Sequence, residues 1–182
     1  MSTATVTTPT VPIGTWQIDN THSSAGFEVE HGGLSVFRGG FEPIDATLVS
    51  TDDGLVLEGR ATVESISVDD ENIRPHLLSP DFFDVSRNPE ITYRSTEISG
   101  SADDLTVSGE LSMAGVTLPV EAKARVRGPV SFGEGMDKLS LSLETTIDRT
   151  AFGMVWQMEL PGGEQALGND VRLAVELELL RS

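Results

Sequence analysis

Along most of this chain, apolar and polar side chains alternate with a period of two residues. Residues 139–147 show it plainly, since Leu139, Leu141 and Leu143 are separated by serines. A strand with one dry and one wet face has this pattern, which is typical of antiparallel sheets. The alternation also occupies residues 55–68, 105–113, 116–126 and 171–179, and less regularly 15–19, 25–30, 41–49 and 91–98. The sequence therefore predicts an all-β protein of eight or nine strands.

Residues 69–88 interrupt the alternation and predict a short helical insert. Asn72 is suited to cap a helix over residues 72–78, with Pro75 in the first turn, where its missing N–H costs little. Ser79 followed by Pro80 repeats the arrangement. The apolar residues of the insert need a surface to pack on, so we expect it to cover one end of a barrel; they are Leu77, Leu78, Phe82 and Phe83.

A closed barrel fits these strands better than two facing sheets, because they are long and none is blunted as an edge strand. Eight strands make a barrel that either fills with side chains or holds one small ligand. Small residues at inward positions favour a cavity: Gly59, Ala61, Gly109, Ala122 and Ala124. With 182 residues, of which 38% are apolar, we expect one domain over residues 15–182, preceded by a flexible tail at residues 1–14.

The chain is strongly acidic, with 12 basic and 29 acidic residues and a formal net charge of −17. Such a charge repels phosphates and anionic lipid surfaces, so we expect no nucleic-acid partner and no stable membrane insertion. No apolar run reaches the ~20 residues of a membrane helix, and the first residues do not resemble a signal peptide. We expect a cytoplasmic protein, or a periplasmic or extracellular one if an export signal was removed. The absence of cysteine excludes disulfides and a thiol nucleophile.

Five segments, in order, resemble the YceI family of lipocalin-like proteins: residues 16–31, 36–41, 74–84, 111–120 and 148–153. The first reads WQIDNTHSSAGFEVEH and the third RPHLLSPDFFD, and the resemblance extends from residue 14 to residue 179. It implies a single extended eight-stranded antiparallel lipocalin-like β-barrel with a short helical insert between strands. It also implies that a polyisoprenoid or similar long amphiphile binds inside. One departure is Pro75, which follows Arg74 where the family usually has an acidic residue.

Side chains of inward parity and the large aromatic rings are the predicted ligand-binding residues. They are Phe27, Val29, His31, Leu57, Ala61, Val63, Phe82, Phe83, Tyr93, Leu111, Met113, Val120, Leu143, Ile147, Phe152, Trp156, Leu173 and Val175. The predicted head-group contacts are His22, Arg38 and Arg149, which lie in the family-like segments, since arginine binds phosphate or carboxylate through paired hydrogen bonds.

Neither a metal site nor a catalytic residue is predicted. His22, His31 and His76 are not at a local ligand spacing, so they would bind a metal only if the fold brought them to one barrel mouth. Ser23 and Ser24 lack the G-x-S-x-G elbow of a serine nucleophile.

The predicted function is the binding of a long-chain isoprenoid, either a polyprenyl phosphate or an isoprenoid quinone, by a non-enzymatic carrier or storage protein. No cofactor is expected other than the bound lipid. One alternative is a dimeric structural or partner-binding barrel with a filled core, in which Leu180 and residues 154–158 form the contact. A small hydrolase or isomerase is the other alternative.

Overall fold

The computed structural model describes residues 11–182, which form one antiparallel sheet and a single α-helix. The strands, in chain order, are β1 (Gly14–Ile18), β2 (Ser24–His31), β3 (Ser35–Phe41), β4 (Ile44–Thr51), β5 (Gly54–Thr62), β6 (Ile66–Val68), β7 (Glu90–Ser101), β8 (Asp104–Met113), β9 (Val116–Ser131), β10 (Asp137–Asp148) and β11 (Leu167–Arg181). The helix α1 (Arg74–Leu78) lies between β6 and β7.

The eleven segments make eight continuous strands, because three strands are each broken once. β1 and β2 pair with successive parts of β11 and are separated by one 3₁₀ turn, Asn20–His22. Likewise β3 and β4 flank residues 42–43, and β5 and β6 flank the 3₁₀ turn Val63–Ser65. The ring closes where the first strand pairs with the last, so the prediction of a closed eight-stranded antiparallel barrel is confirmed.

Two predicted strands are each interrupted in the structure. The stretch 55–68 is divided by the 3₁₀ turn at Val63, and the stretch 41–49 spans the end of β3 and most of β4. The sequence did not predict β3 as a strand. Its alternation is hidden by Gly39 and Gly40, which have no side chains to show a parity. At Gly39 a Cβ atom would collide with the ring of Phe27, so this glycine makes room for an aromatic ring of the neighbouring strand.

The helical insert, residues 69–89, is shorter and capped differently than predicted. Ile73 occupies the N-cap of α1 without a side-chain cap, and Asn72 instead donates to the carboxylate of Asp70. Residues 79–83 form a turn rather than a second helix. The guanidinium of Arg74 donates to the carbonyls of Glu64, at 2.5 Å, and Ile66, at 3.4 Å. Backbone carbonyls thus tie the insert to the barrel at this point.

The insert completes the barrel wall. β5 pairs with β7 over residues 58–62 and 90–94, whereas β6, within the described residues, pairs only with β3. A gap therefore separates β6 from β7, and the chain between them fills it with the buried side chains of Leu77, Phe82 and Phe83. The expectation that the insert packs on one end of the barrel holds for these three residues.

The opposite end of the barrel is filled by side chains. Trp16, Leu48, Leu105 and Leu179 are almost completely buried there. Val11 joins this core, and its carbonyl accepts a hydrogen bond from Ser50 Oγ at 2.9 Å. Val11 is thus packed on the barrel, and the carbonyl of Pro12 accepts a hydrogen bond from the indole of Trp16 at 3.2 Å, although both residues lie in the predicted tail. Residues 1–10 of that tail lie outside the described residues. Within residues 11–182, no helix has the length and apolar character required to cross a bilayer.

Candidate functional site

A cavity of about 440 Å³ occupies the half of the barrel next to the insert. Its wall is almost entirely carbon, supplied by inward side chains of the strands and by the insert. The volume falls within the ~300–1,000 Å³ range of small-molecule sites. The barrel is therefore filled at one end only, which does not fit the filled core of the dimer alternative.

Most of the predicted ligand-binding residues border this cavity. They are Phe27, Val29, His31, Leu57, Ala61, Phe82, Phe83, Tyr93, Leu111, Met113, Val120, Leu143, Ile147, Trp156, Leu173 and Val175. Their contact with a ligand stays a prediction.

Val63 and Phe152 are buried but do not border the cavity. Both belong to 3₁₀ turns, Val63–Ser65 and Arg149–Phe152. A 3₁₀ turn has about three residues per turn, so the inward parity of the preceding strand does not continue through it. Val63, which the alternation placed inward, and Phe152, which was selected as a large aromatic ring, therefore pack in the core beside the cavity, and their contact with a ligand stays a prediction.

Sequence reasoning missed further lining residues of two kinds. Strand residues of inward parity could have been found from the alternation, and these include Ala25, Phe41, Ile44, Ala46, Ile91, Val171 and Leu177. Ile73, His76, Leu77 and Met154 come from the insert and from the β10–β11 connection, residues 149–166. Those two segments have no regular period, so their orientation depends on tertiary packing.

The small inward residues have unequal roles. Gly59, Ala61 and Ala122 border the cavity, as expected. Gly109 does not, because the ring of Tyr93 lies against it, with the phenol oxygen 2.5 Å from where a Cβ atom would be. This burial raises the pKa of Tyr93 to about 12. Ala124 belongs to the filled end.

Three rings meet at the solvent-facing border of the cavity. The imidazole of His76 lies edge-on to Phe82 and to Trp156, with ring centroids 5.0 and 4.9 Å apart. Its Nε2 is 3.0 Å from the carboxylate of Asp81, and its side chain is 38% exposed. His76 was not a predicted head-group residue, although it lies in a family-like segment.

Arg149 is buried beside the cavity, and its guanidinium is fully engaged by the protein. It donates to the carbonyls of Gly168, Met154 and Trp156 at 2.6–2.9 Å, and more distantly to Leu167 and Asn169. Burial lowers the pKa of Arg149. A guanidinium has five N–H groups, and all five have acceptors here, so none is left for a head group. The predicted head-group role does not agree with this geometry.

The other two predicted head-group residues do not border the cavity. Arg38 donates to Glu28 at 2.9 Å on the exposed side of the sheet, and this pair lowers the pKa of Glu28. His22 lies in the turn between β1 and β2, where its Nδ1 is 3.2 Å from Asp19 and 3.6 Å from Glu178.

Lys138 lies between Asp19 and Glu178, the two carboxylates next to His22. Its Nζ donates to Asp19 at 2.8 Å and to Glu178 at 2.7 Å. The hydrogen bond from Lys138 holds the pKa of Asp19 well below its usual range, and Asp19 and Glu178 raise the pKa of Lys138. Two carboxylates and an imidazole are a donor set for a metal, but here the ammonium of Lys138 bonds both carboxylates and offsets one of their two charges.

The predicted dimer contact is divided between interior and surface. Within residues 154–158, Met154 is buried and Trp156 borders the cavity, whereas Val155 and Met158 are 68% and 53% exposed. Leu180 is half-buried. A homodimer through these residues stays a prediction.

Comparison with known proteins relates both the sequence and the fold to a family. The family model described as YceI-like domain matches residues 16–179. A UPF0312 protein of Pseudomonas aeruginosa (strain LESB58) is 29% identical over 163 residues, which cover 88% of this chain and 82% of that protein.

Two solved structures share the architecture. The crystal structure of Burkholderia cenocepacia BcnA aligns with a TM-score of 0.73 at 16% identity, covering 88% of this chain and 98% of that one. A polyisoprenoid binding domain from Saccharophagus degradans, implicated in plant cell wall breakdown, aligns with a TM-score of 0.70 at 9% identity, covering 93% and 99%. At these identities the two structures demonstrate a common fold.

Proposed function

Because this chain belongs to the YceI-like domain family, we propose that it binds a long-chain isoprenoid or similar amphiphilic lipid inside the barrel. It would act as a carrier or storage protein and not as an enzyme. The observation that carries the proposal is the 440 Å³ cavity with its carbon wall. The polyisoprenoid binding domain of Saccharophagus degradans, which has the same fold, supports it.

The driving force is the transfer of hydrocarbon out of water. Burying one methylene stabilises a complex by about 0.8 kcal/mol, so one five-carbon isoprene unit contributes up to about 4 kcal/mol. Transfer from a bilayer gains almost nothing, because the lipid interior is equally dry. Such a barrel would therefore exchange or shelter lipid. Its specificity would depend on the shape of the cavity and on the head group.

Organic extraction of the purified protein, followed by mass spectrometry, tests the proposal. We expect an isoprenoid species near one equivalent per chain. An unrelated protein from the same host, purified and extracted in parallel, controls for adventitious lipid. If the extract of this protein matches that control, and added isoprenoids do not bind either, the proposal is wrong.

A charge placed in the wall should prevent binding. Leu143 is buried at the cavity, and Leu143→Asp would put a carboxylate where the hydrocarbon lies. We expect co-purified lipid to fall to about a tenth or less, since an unpaired buried charge is costly. The matched control is Thr146→Asp, on the same strand but exposed and opposite Arg172, which should retain lipid.

A second variant separates lost binding from lost folding. Ala61→Phe fills part of the cavity without adding charge, since Ala61 borders it. Circular dichroism and thermal unfolding would confirm that each variant folds. If folded Leu143→Asp and Ala61→Phe both keep their lipid, the ligand does not lie in this cavity.

A further inference from the structure

We infer that the mouth of the cavity docks reversibly on the surface of a bilayer of zwitterionic lipids, such as phosphatidylcholine. The inference rests on the proposed function and goes beyond it, because it names the surface with which the barrel exchanges its lipid. A shallow contact at the level of the lipid head groups is sufficient, since the ligand moves between bilayer and barrel and the protein does not cross the membrane.

Three segments surround the mouth of the cavity, at the end of the barrel opposite the filled core. They are the end of β2 with the following turn, the insert, and the β10–β11 connection. Each contributes a side chain that borders the cavity and is also partly or fully exposed, namely His31, Ile73 and Trp156. Because these side chains reach both the cavity and the solvent, the cavity opens between the three segments.

Large apolar side chains are exposed on two of these segments. Leu34, in the β2–β3 turn, is 94% exposed, and Val36 follows it at 42%. Val155 and Met158, on the β10–β11 connection, are also exposed. We call these four residues the apolar rim. Exposed apolar side chains that cluster on a surface mark a contact with another protein or with a membrane.

The two segments of the apolar rim lie side by side. The backbone N–H of Gly32 donates to the carbonyl of Ala166 at 2.9 Å, and the N–H of Ala166 donates to the carbonyl of Met158 at 2.8 Å. The Cδ1 atom of Leu160 is 3.5 Å from where a Cβ atom of Gly32 would be. The turn that carries Leu34 is therefore held against the chain that carries Met158, and the rim forms one surface.

The cavity explains why a bilayer, and not a second protein, fits the apolar rim. Trp156 lies between Val155 and Met158 in the chain and borders the cavity, so the rim adjoins the apolar wall. A hydrocarbon chain that leaves a bilayer at the rim stays in contact with apolar surface, whereas every methylene exposed to water on the way would be unfavourable. A protein seated on the rim would instead cover the path by which the ligand enters.

The charges around the mouth favour zwitterionic over anionic lipids. Residues 30–36 and 154–167 contain three glutamates and no lysine or arginine. Residues 69–71, at the start of the insert, are all acidic and exposed. Together with the formal net charge of −17, these carboxylates repel an anionic surface, whereas they attract the ammonium groups that phosphatidylcholine presents.

Vesicle flotation tests the inference. The purified protein would be mixed with vesicles of phosphatidylcholine alone, and with vesicles of phosphatidylcholine and phosphatidylglycerol in equal amounts. We expect binding to the first and severalfold weaker binding to the second at low salt, because the anionic head groups repel the acidic chain. Absence of binding to phosphatidylcholine, or tighter binding to the anionic vesicles, would overturn the inference.

A pair of double variants tests the place of contact. Leu34→Gln with Met158→Gln removes apolar surface from the rim without a change of charge, and should weaken binding to phosphatidylcholine vesicles at least about tenfold. The matched control is Val130→Gln with Met136→Gln, two exposed positions at the β9–β10 hairpin that do not border the cavity. It should bind as wild type does. Equal weakening by both double variants would contradict docking through the rim.

Binding of an added isoprenoid alcohol without vesicles separates this inference from the proposed function. Leu34 and Met158 do not border the cavity, so their double variant should take up the alcohol as wild type does. If wild type takes up the alcohol but binds no vesicles, only the docking inference is wrong. If it takes up no isoprenoid, the proposed function is wrong as well.

Light scattering distinguishes a bilayer from a second copy of the chain. We expect the wild type and the rim double variant to have the same molecular mass in solution. If the wild type is a dimer that the rim double variant converts to a monomer, a second copy covers the rim and the inference is wrong. Thermal unfolding would confirm that both double variants fold.

Discussion

Arg149 acts on the site through the backbone that it holds. Its guanidinium links the start of the β10–β11 connection to the carbonyls of Met154 and Trp156 within it, and of Gly168 in β11. Hydrogen bonds from a charged donor to buried carbonyls are stronger than neutral ones, and their loss leaves those carbonyls unpaired. Arg149 therefore holds the backbone of Trp156 at the cavity border.

Replacement of Arg149 should destabilise the fold even when the charge is kept. We expect Arg149→Lys and Arg149→Met each to lower the free energy of unfolding by about 2–4 kcal/mol, because neither side chain reaches all the carbonyls. Urea unfolding measures the change. Arg38→Met is the control, since Arg38 is exposed and makes an ion pair with Glu28, which should contribute little. A fully stable Arg149→Lys variant would contradict the positioning role.

At the scale of the strands, small inward residues have two uses that the sequence does not distinguish. Gly59 faces the cavity, and a Cβ atom there would meet only the carbonyl oxygen of Asp45, at 3.8 Å. At Gly109 a Cβ atom would collide with the carbonyl oxygen of Arg94 and with the ring of Tyr93. One glycine leaves room for a ligand and the other for a neighbouring ring.

The two glycines should therefore respond differently to the same substitution. Gly109→Ala should destabilise the protein by about 1–3 kcal/mol, because the colliding carbonyl belongs to the backbone of β7 and cannot rotate away. Gly59→Ala should be neutral or stabilising by up to about 1 kcal/mol, since it reduces the entropy of the unfolded chain. Thermal or urea unfolding compares them. Equal losses for both variants would contradict the different surroundings described for Gly59 and Gly109.

At the scale of the whole molecule, the barrel is closed where its first strand meets its last. Lys138 on β10 crosses this seam, because its ammonium bonds Asp19, just after β1, and Glu178 on β11. In a chain with a net charge of −17, the ammonium of Lys138 lies between two carboxylates and reduces the repulsion between them.

The contribution of the Lys138–Asp19 contact to the free energy of unfolding should decrease as the pH falls. The pKa of Asp19 is depressed, so its contribution to stability is complete above the ordinary aspartate pKa and is lost as pH falls through the depressed value. Lys138→Met should lower the free energy of unfolding at pH 7, and its difference from wild type should shrink as pH falls below about 4. The pKa of Lys138 is raised, so its contribution is complete below its ordinary value and is lost only as pH rises through the raised one.

Urea unfolding at pH 7, 4 and 2.5 measures this dependence. Lys123→Met is the matched control, because Lys123 is exposed and donates to the hydroxyl of Thr106, without an ion pair among residues 11–182. Its difference from wild type should not vary with pH over this range. A pH-independent effect of Lys138→Met would show that the contact with Asp19 does not contribute to stability.

The period-two alternation determined the class of fold and much of the cavity wall, because in a strand the side-chain direction follows from position alone. Leu57, Tyr93, Leu143 and Val175 could thus be placed at the cavity from the sequence. The five family-like segments were also sufficient to identify the YceI family from the sequence.

The other features of the site were decided by the tertiary structure, because they depend on contacts between residues that are distant in the chain. His76 and Trp156 meet only because the insert and the β10–β11 connection fold against each other at the cavity border. His22 and Arg38 also lie in family-like segments, but their partners lie outside the cavity. A charged side chain takes its role from the groups that surround it, and those groups are set by the closed barrel, not by the local sequence.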